Sequence, residues 1–380
     1  MISIYRILFS VAYLILFISC NTRDNSNTNN EDELQYTVHI NISESLLPTD
    51  DGRPEYLLGQ PVFVFTDKSD NIYVADRMAM NIRVYDSTGI YKRTIGKRGR
   101  GPGEFLDINA MLIDSQNNII IADQLNSRIS YLSSTGEIIS THLIDQDEIL
   151  WPRQIREYND DLYIYLYRLP RNIDPDGNIL HVFDKEMNRV KSLKLPDRYA
   201  KSPFVRIFSE FYPGHISVVD NNYIVYVPPI FDGTWYNINI DKSANYTVIE
   251  NGTYHYKPFT ENFRGPLPDN VTRIHHGGEV IAADVKRQSL GIFPLSDGKI
   301  VIFYLEYEED TTLLKTELFT LEGSLIGKGQ KDLKEVTTAH AFTLISIVHI
   351  DRNDTFYVID DRGLPEIKTM TLTLSKYIDI

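Results

Sequence analysis

Asp70-Asn-Ile-Tyr-Val-Ala-Asp76 and Asn117-Asn-Ile-Ile-Ile-Ala-Asp123 are one phrase written twice: a polar turn, four apolar or aromatic residues, then aspartate. Related stretches return at Asp160-Asp-Leu-Tyr-Ile-Tyr165, Asn221-Asn-Tyr-Ile-Val-Tyr226, Gly298-Lys-Ile-Val-Ile-Phe303 and Asp354-Thr-Phe-Tyr-Val-Ile-Asp360. A second feature follows the first two at a similar distance, Asp86-Ser-Thr-Gly89 and Ser133-Ser-Thr-Gly136, where glycine supplies the positive φ of a tight hairpin. Asp184-Lys-Glu-Met187, Asp241-Lys-Ser-Ala244 and Leu321-Glu-Gly323 hold the corresponding place later. Each repeat therefore reads as strand, polar turn, strand, longer loop, strand, hairpin turn, strand. One such antiparallel unit cannot bury both faces of its sheet, so several must pack radially, as the blades of a propeller do. The expectation is an all-β, six-bladed β-propeller of four-stranded blades over residues 36–380. Tyr36-Thr-Val-His-Ile-Asn-Ile42 is an orphan strand and the last repeat lacks an outer strand, so the N-terminal strand is expected to close the ring and cover an edge.

Between the first two repeats lies Lys97-Arg-Gly-Arg-Gly-Pro-Gly-Glu-Phe105, a glycine-rich, cationic run. It matches neither the Walker pattern nor the dinucleotide fingerprint, and both need a following helix whose N–H groups face the anion. Leu106–Asp114 instead alternates like a strand. The run is read as a connector whose glycines serve backbone geometry, linking the last strand of one blade, Ile90–Ile95, to the inner strand of the next.

These residues also carry a family resemblance. Ile121-Ala-Asp-Gln-Leu-Asn-Ser-Arg-Ile129 has the Ala-Asp-x-x-Asn-x-Arg-Ile pattern of NHL repeats, and Gly99–Phe105 resembles their inter-blade connector. Repeat one departs by two extra loop residues in Asp76-Arg-Met-Ala-Met-Asn-Ile-Arg83. With Phe231-Asp-Gly-Thr-Trp-Tyr236 and the N-terminal features below, the chain resembles the six-bladed NHL-like propeller lipoproteins of Bacteroidetes. The specific motifs cover residues 66–145, and beyond them the likeness rests on blade pattern. It implies a TolB-like or NHL-like propeller, and it admits metal-dependent lyases and lactone hydrolases of the same fold.

The chain opens with Arg6, an apolar run Ile7–Ile18, then Ser19-Cys20 and an abrupt change to the polar Asn21–Asn30. A bilayer crossing needs about 20 apolar residues, so residues 1–19 read as an export signal peptide. Cys20, the only cysteine, sits as in the lipobox of bacterial lipoproteins, with Phe17 in place of the usual leucine. Residues 20–35 read as a lipidated flexible tether, which places the domain in the bacterial cell envelope at the outer membrane. Without a second cysteine no disulfide forms, and a chain of this length builds an ordinary core. The net charge of −14 argues against a nucleic-acid backbone, and against an anionic membrane surface, as partner. The lipid is then the expected membrane contact, and a monomer is expected.

Loops between the second and third strands and connectors into each inner strand fall at one end of a propeller. That end should gather Arg77, Lys97, Arg98 and Arg100 with Gln124 and Asn126, and from later blades His215, His276 of the His275-His276 pair, and His340. Arginine forks grip carboxylate or sulfate oxygens, so these residues are the candidate ligand-binding set for an anionic glycan, peptide or protein. Asp76, Asp123 and Asp360 are expected to bind their own loop backbones rather than metal, and Arg83 and Arg128 to be structural. No His-x-His or His-x3-His spacing fixes zinc ligands, and no cofactor is expected, calcium or zinc being the candidates if one is present. No nucleophile and base pair is legible, so a binding or scaffold module is favoured over the lyase or lactonase alternative. Replacing Cys20 by Ala should release the protein from membranes, since a mature lipoprotein carries several acyl chains. Membrane fractionation with labelled fatty acid checks this, and a wild type that takes up no label would remove the lipid anchor.

Overall fold

The computed structural model describes residues 34–48, 52–144, 152–159, 162–167, 178–193, 202, 204, 205, 207, 208, 212–220, 223–240, 245–250, 259–260, 272–276, 279–308, 311–333 and 345–378. Cys20, the leader, most of the tether and His340 lie outside them. The described chain is all-β. It opens with β1 (Tyr36–Ser45) and then makes four antiparallel, four-stranded sheets in succession. The first holds β2 (Pro61–Thr66), β3 (Ile72–Asp76), β4 (Asn81–Tyr85) and β5 (Tyr91–Ile95), and the second β6 (Ala110–Ile113), β7 (Ile119–Asp123), β8 (Arg128–Leu132) and β9 (Ile138–Leu143). The third holds β10 (Pro152–Asn159), β11 (Leu162–Tyr167), β12 (Leu180–Asp184) and β13 (Arg189–Leu193), and the fourth β14 (His215–Val218), β15 (Tyr223–Val227), β16 (Thr234–Asn239) and β17 (Asn245–Glu250). A small sheet of β18 (Phe259–Thr260), β19 (Thr272–His276) and β20 (Glu279–Val285) follows. The chain ends with β21 (Arg287–Pro294), β22 (Ile300–Tyr307), β23 (Thr312–Phe319), β24 (Leu325–Asp332), β25 (Ile345–Ile350), β26 (Phe356–Asp360) and β27 (Glu366–Lys376).

Position within a sheet explains the repeat's composition. Every residue of β3, β7 and β26 is buried, because the second strand of each unit has a neighbouring sheet on both faces. Outer strands face water and alternate, as β5 does with only Ile95 buried. The turns before β3, β7 and β26 are each held by an aspartate. Asp67, Asp114 and Asp351 accept backbone N–H bonds from Asn71, Asn118 and Thr355, and Asp70, Asn117 and Asp354 take the positive φ.

The inner strands β2, β6, β10, β14, β21 and β25 pack side by side in a closed circuit, β25 returning to β2. The apolar clusters follow the same circuit. One joins the first three sheets through residues such as Phe65, Ile121 and Tyr165, and another joins the last strands to the first through Val64, Ile72 and Ile359. Phe303 and Phe356 meet edge to face with centroids 5.0 Å apart. Each such fully buried ring contributes about 1.5–3 kcal/mol over exposure.

The strand expected at residues 36–42 pairs as anticipated, antiparallel to β27 from Tyr36↔Lys376 to Ile42↔Met370. The expectation of six separate four-stranded sheets needs correction. Four are separate, β18–β20 form the small sheet, and the other eight strands form one sheet in the order β21-β22-β23-β24-β1-β27-β26-β25. The cause is β1, which is bonded on both edges: to β27 along its length, and to β24 in parallel at Tyr36↔Gly327 and Thr37↔Lys328. Glycine permits this junction, since a Cβ on Gly329 would run into the Val38 carbonyl. Replacing Gly329 by Val should therefore cost roughly 1–3 kcal/mol of stability, the usual penalty of overpacking. An unchanged denaturant midpoint would mean that the junction places no constraint on the fold.

Candidate functional site: an arginine-lined cavity between the inner strands

Two buried carboxylates organise the end of the molecule where the second strands finish. Asp76 is fully buried and accepts N–H bonds from Gly59 and Gln60, just ahead of β2, and from Met78 and Ala79 in its own loop, at 2.8–3.1 Å. Asp123 repeats this with the N–H groups of Leu106 and Asp107 ahead of β6, and with Asn126. Burial raises the Asp123 carboxyl above its usual range, against the opposing pull of the Asn126 side chain and these N–H groups. Arg83 and Arg128 stand 3.7 and 3.9 Å from the two carboxylates. The expected structural roles of these aspartates and arginines are therefore met.

The glycine-rich connector is held by the same repeat motif. Asn126 donates to the Gly99 carbonyl at 3.0 Å, and Arg128 donates to the carbonyls of Gly101 and Glu104. Its N–H groups are spent within the loop: Phe105 on the Lys97 carbonyl, Gly99 on the Phe105 carbonyl, Gly101 on the Glu104 carboxylate. Gly96, at φ +77°, lets the fully buried Phe105 ring lie against its backbone. These bonds hold the run as a connector between the first two sheets.

A cavity of about 240 Å3 lies among the inner strands. Its polar side comes from Asn109 ahead of β6, from Arg153, Gln154 and Arg156 of β10, and from His215 of β14, with Arg77 entering from the loop after β3. Its apolar side comes from Phe63 and Phe65 of β2, Phe293 of β21, and Ile347 and Val348 of β25. Among the described residues no aspartate or glutamate lines it. Arg77 donates through Nε and Nη2 to the Ile108 carbonyl and stands 3.5 Å from Asp107, which half-neutralises it. Arg156 donates Nε to the Ile216 carbonyl at 3.1 Å and Nη1 to the Ile155 carbonyl at 2.9 Å, and no carboxylate among the described residues reaches it. Burial lowers its guanidinium to about 10. Gln154 ties β10 to β14, donating to the Gly214 carbonyl, accepting from the Ile216 N–H and lying 3.3 Å from His215 Nδ1. Burial, aided by the Arg156 charge, lowers His215 to about 4. His349, bonded to the Thr66 hydroxyl at 2.9 Å, is lowered to about 3 for the same reasons.

Of the expected ligand-binding set, Arg77 and His215 line this cavity. Lys97, Arg98 and Arg100 do not. Lys97 pairs with Glu104 at 3.3 Å, Arg98 donates to the Met78 carbonyl at 3.1 Å, and all three sit exposed on the outer surface of the connector. His276 stands on β19 of the small sheet, between β17 and β21, with His276↔Glu279 closing its hairpin with β20. Gln124 holds Asn109 at 3.0 Å and so positions the rim. Arg153, Gln154 and Arg156 were missed, although two cations in an inner strand, where β2 and β6 are largely apolar, were a readable signal. Among the described residues no group of three or more His, Cys, Asp or Glu side chains is placed to hold a metal ion, and no helix is long and apolar enough to cross a membrane.

A family model described as a domain of unknown function, DUF4934, matches residues 53–272, more than half of the chain. The chain belongs to the DUF4934 family. Among curated proteins none matches it. Two solved structures share the fold of this DUF4934 chain. A member of the DUF4221 family from Bacteroides vulgatus superposes with a TM-score of 0.58 at 11% identity, over 90% of this chain and 100% of that one. A candidate exported protein of Bacteroides fragilis superposes with a TM-score of 0.54 at 11% identity, over 92% of this chain and 98% of that one. Likeness at this identity concerns the fold alone, which is propeller-like in each.

The two lowered histidines give this chain a directional pH dependence. Each is neutral when folded, at about 4 and about 3, against 6.5 when free. Below pH 6.5 the unfolded chain binds the extra protons, so stability falls with pH until the folded values are reached, by at most about 1.4 kcal/mol per pH unit for each histidine. His349→Gln should flatten this loss between pH 7 and pH 5 in urea melts. Equal losses in wild type and variant would exclude His349 as a source.

Proposed function

We propose that this chain is a six-bladed, NHL-like propeller that works as a binding module, carried outside the cytoplasm on a lipid at Cys20, and that it takes an anionic ligand at the channel mouth. The blade count treats the eight-stranded sheet as two blades, β21–β24 and β25–β27 with β1, joined edge to edge; the circuit of inner strands favours this count. The NHL assignment rests on Asn126 and Arg128, which bind the connector carbonyls as a repeated motif should. Export is favoured by the leader-like residues 1–19 and is in keeping with the candidate exported relative. An outer-membrane address follows from the lipobox reading of Cys20.

The ligand reading is carried by one observation. In a chain of net charge −14, the inner cavity is lined by Arg77, Arg153, Arg156 and His215 and, among the described residues, by no carboxylate. A cation desolvated in this way gains from a negative partner far more than one in water does. A peptide carboxylate, an acidic sugar or a small organic acid all carry such a group. The test is a set of charged ligands, each matched with its neutral isostere: acetate with acetamide, glucuronate with glucose, phenylacetate with phenylacetamide. In at least one pair the anion should bind tenfold tighter or more, measured by calorimetry at fixed ionic strength, and Arg77→Gln should narrow that gap. If the neutral member binds as well as the anion in every pair, the reading fails.

A further inference from the structure

The cavity is divided as well as positive. Most of its cationic and hydrogen-bonding groups stand on β10 and β14, with Arg77 and Asn109 at the rim, while Phe63, Phe65, Phe293, Ile347 and Val348 stand on β2, β21 and β25 with only the serines Ser289 and Ser346 among them. From this we propose that the site takes a small amphiphilic carboxylate, an acid with one compact aromatic or branched aliphatic body. The inference rests on the anion-binding reading and names its ligand class.

Three observations carry it. Arg156 is fixed before any ligand arrives, because Nε and Nη1 are anchored on the carbonyls of Ile216 and Ile155 while Nη2 has no acceptor among the described residues. A guanidinium held in this way loses little freedom on meeting a carboxylate, and one face of its fork stays available. The opposite wall is mainly aromatic and branched, its serines being Ser346 and Ser289, whose hydroxyl is taken by the Pro228 carbonyl, so it favours an apolar body over the water shell of sulfate or of a bare small anion. The volume of about 240 Å3 lies below the roughly 300–1,000 Å3 typical of drug-sized sites, so a polymer chain does not fit inside and a compact acid does. His215 stays neutral there, so it adds a hydrogen-bonding edge beside Arg156 and leaves the positive charge to the arginines.

The experiment is calorimetry on the full chain with phenylacetate, phenylacetamide, acetate and sulfate at constant ionic strength. Phenylacetate should bind at least tenfold tighter than each of the others. Arg156→Gln should remove the preference for phenylacetate over phenylacetamide. Should that variant fail to fold, Val348→Trp, which fills the apolar wall and leaves the arginines in place, should abolish phenylacetate binding with the melting transition retained. Acetate or sulfate binding as tightly as phenylacetate would overturn the amphiphile and leave an anion site. No binding by any pair member, glucuronate included, would overturn both readings. Unchanged phenylacetate affinity in a folded Val348→Trp protein would overturn the placement in this cavity.

Discussion

The structure depends on a carboxylate buried where the second strand of a unit ends. Asp76 and Asp123 have no solvent exposure, and each collects N–H groups from two separate segments: the loop that follows it and the connector that enters the inner strand beside it. A buried carboxylate without such donors would cost several kcal/mol, and these donors are loop N–H groups with no ladder to join. Meeting both needs at once fixes the path of the chain at one end of the molecule. Arg77 follows Asp76 directly, and its partners Asp107 and Ile108 follow the segment held by Asp123, so the cavity rim is set by these two clamps.

Asp360 shows how the device varies. Beside the loop N–H of Arg362, the side chains of Arg362 and Lys368 bind its carboxyl and hold it at about 2, since their charges outweigh burial. Here the end of the last repeat is cross-linked by charged side chains as well as by backbone, and the loop is free of the connector sequence seen earlier. The cavity combines both modes. Arg77 and Arg156 are fixed by carbonyl acceptors, with Asp107 beside Arg77, and positive charge lines the cavity in a strongly acidic chain.

Much of the fold was legible because two of its physical causes are local. The uninterrupted apolar run of β3 and β7 reports burial on both faces, and the Asp-x-x-Gly turns report their own φ. The pairing of residues 36–42 with the last strands could be read from an unmatched edge. The junction of β1 with β24 was not legible, because it depends on the close approach that Gly327 and Gly329 permit, and a glycine in a strand does not name what approaches it. The site was half legible. Arg77 and His215 were placed by repeat phase alone, but Lys97, Arg98 and Arg100 attracted notice by local charge, which says nothing about direction, and the loop turns them outward. Arg153 and Arg156 went unread because their stretch lacks the repeat's signature residues.

The direction of β1 has a mechanical consequence. Tyr36 pairs with Lys376, Ser45 with Lys368, and Tyr377 bonds the Gln35 carbonyl, so both ends of the described chain leave from the side opposite Asp76, Asp123 and the cavity rim. A load applied through residue 34 against a ligand held at the rim runs along the axis of β1 and strains its ladder to β27 in shear, many bonds sharing it together. Drawing the two termini apart instead opens the same ladder from Tyr36↔Lys376 one pair at a time, like a zip. The same strand thus resists traction from a tether and yields to separation of its ends.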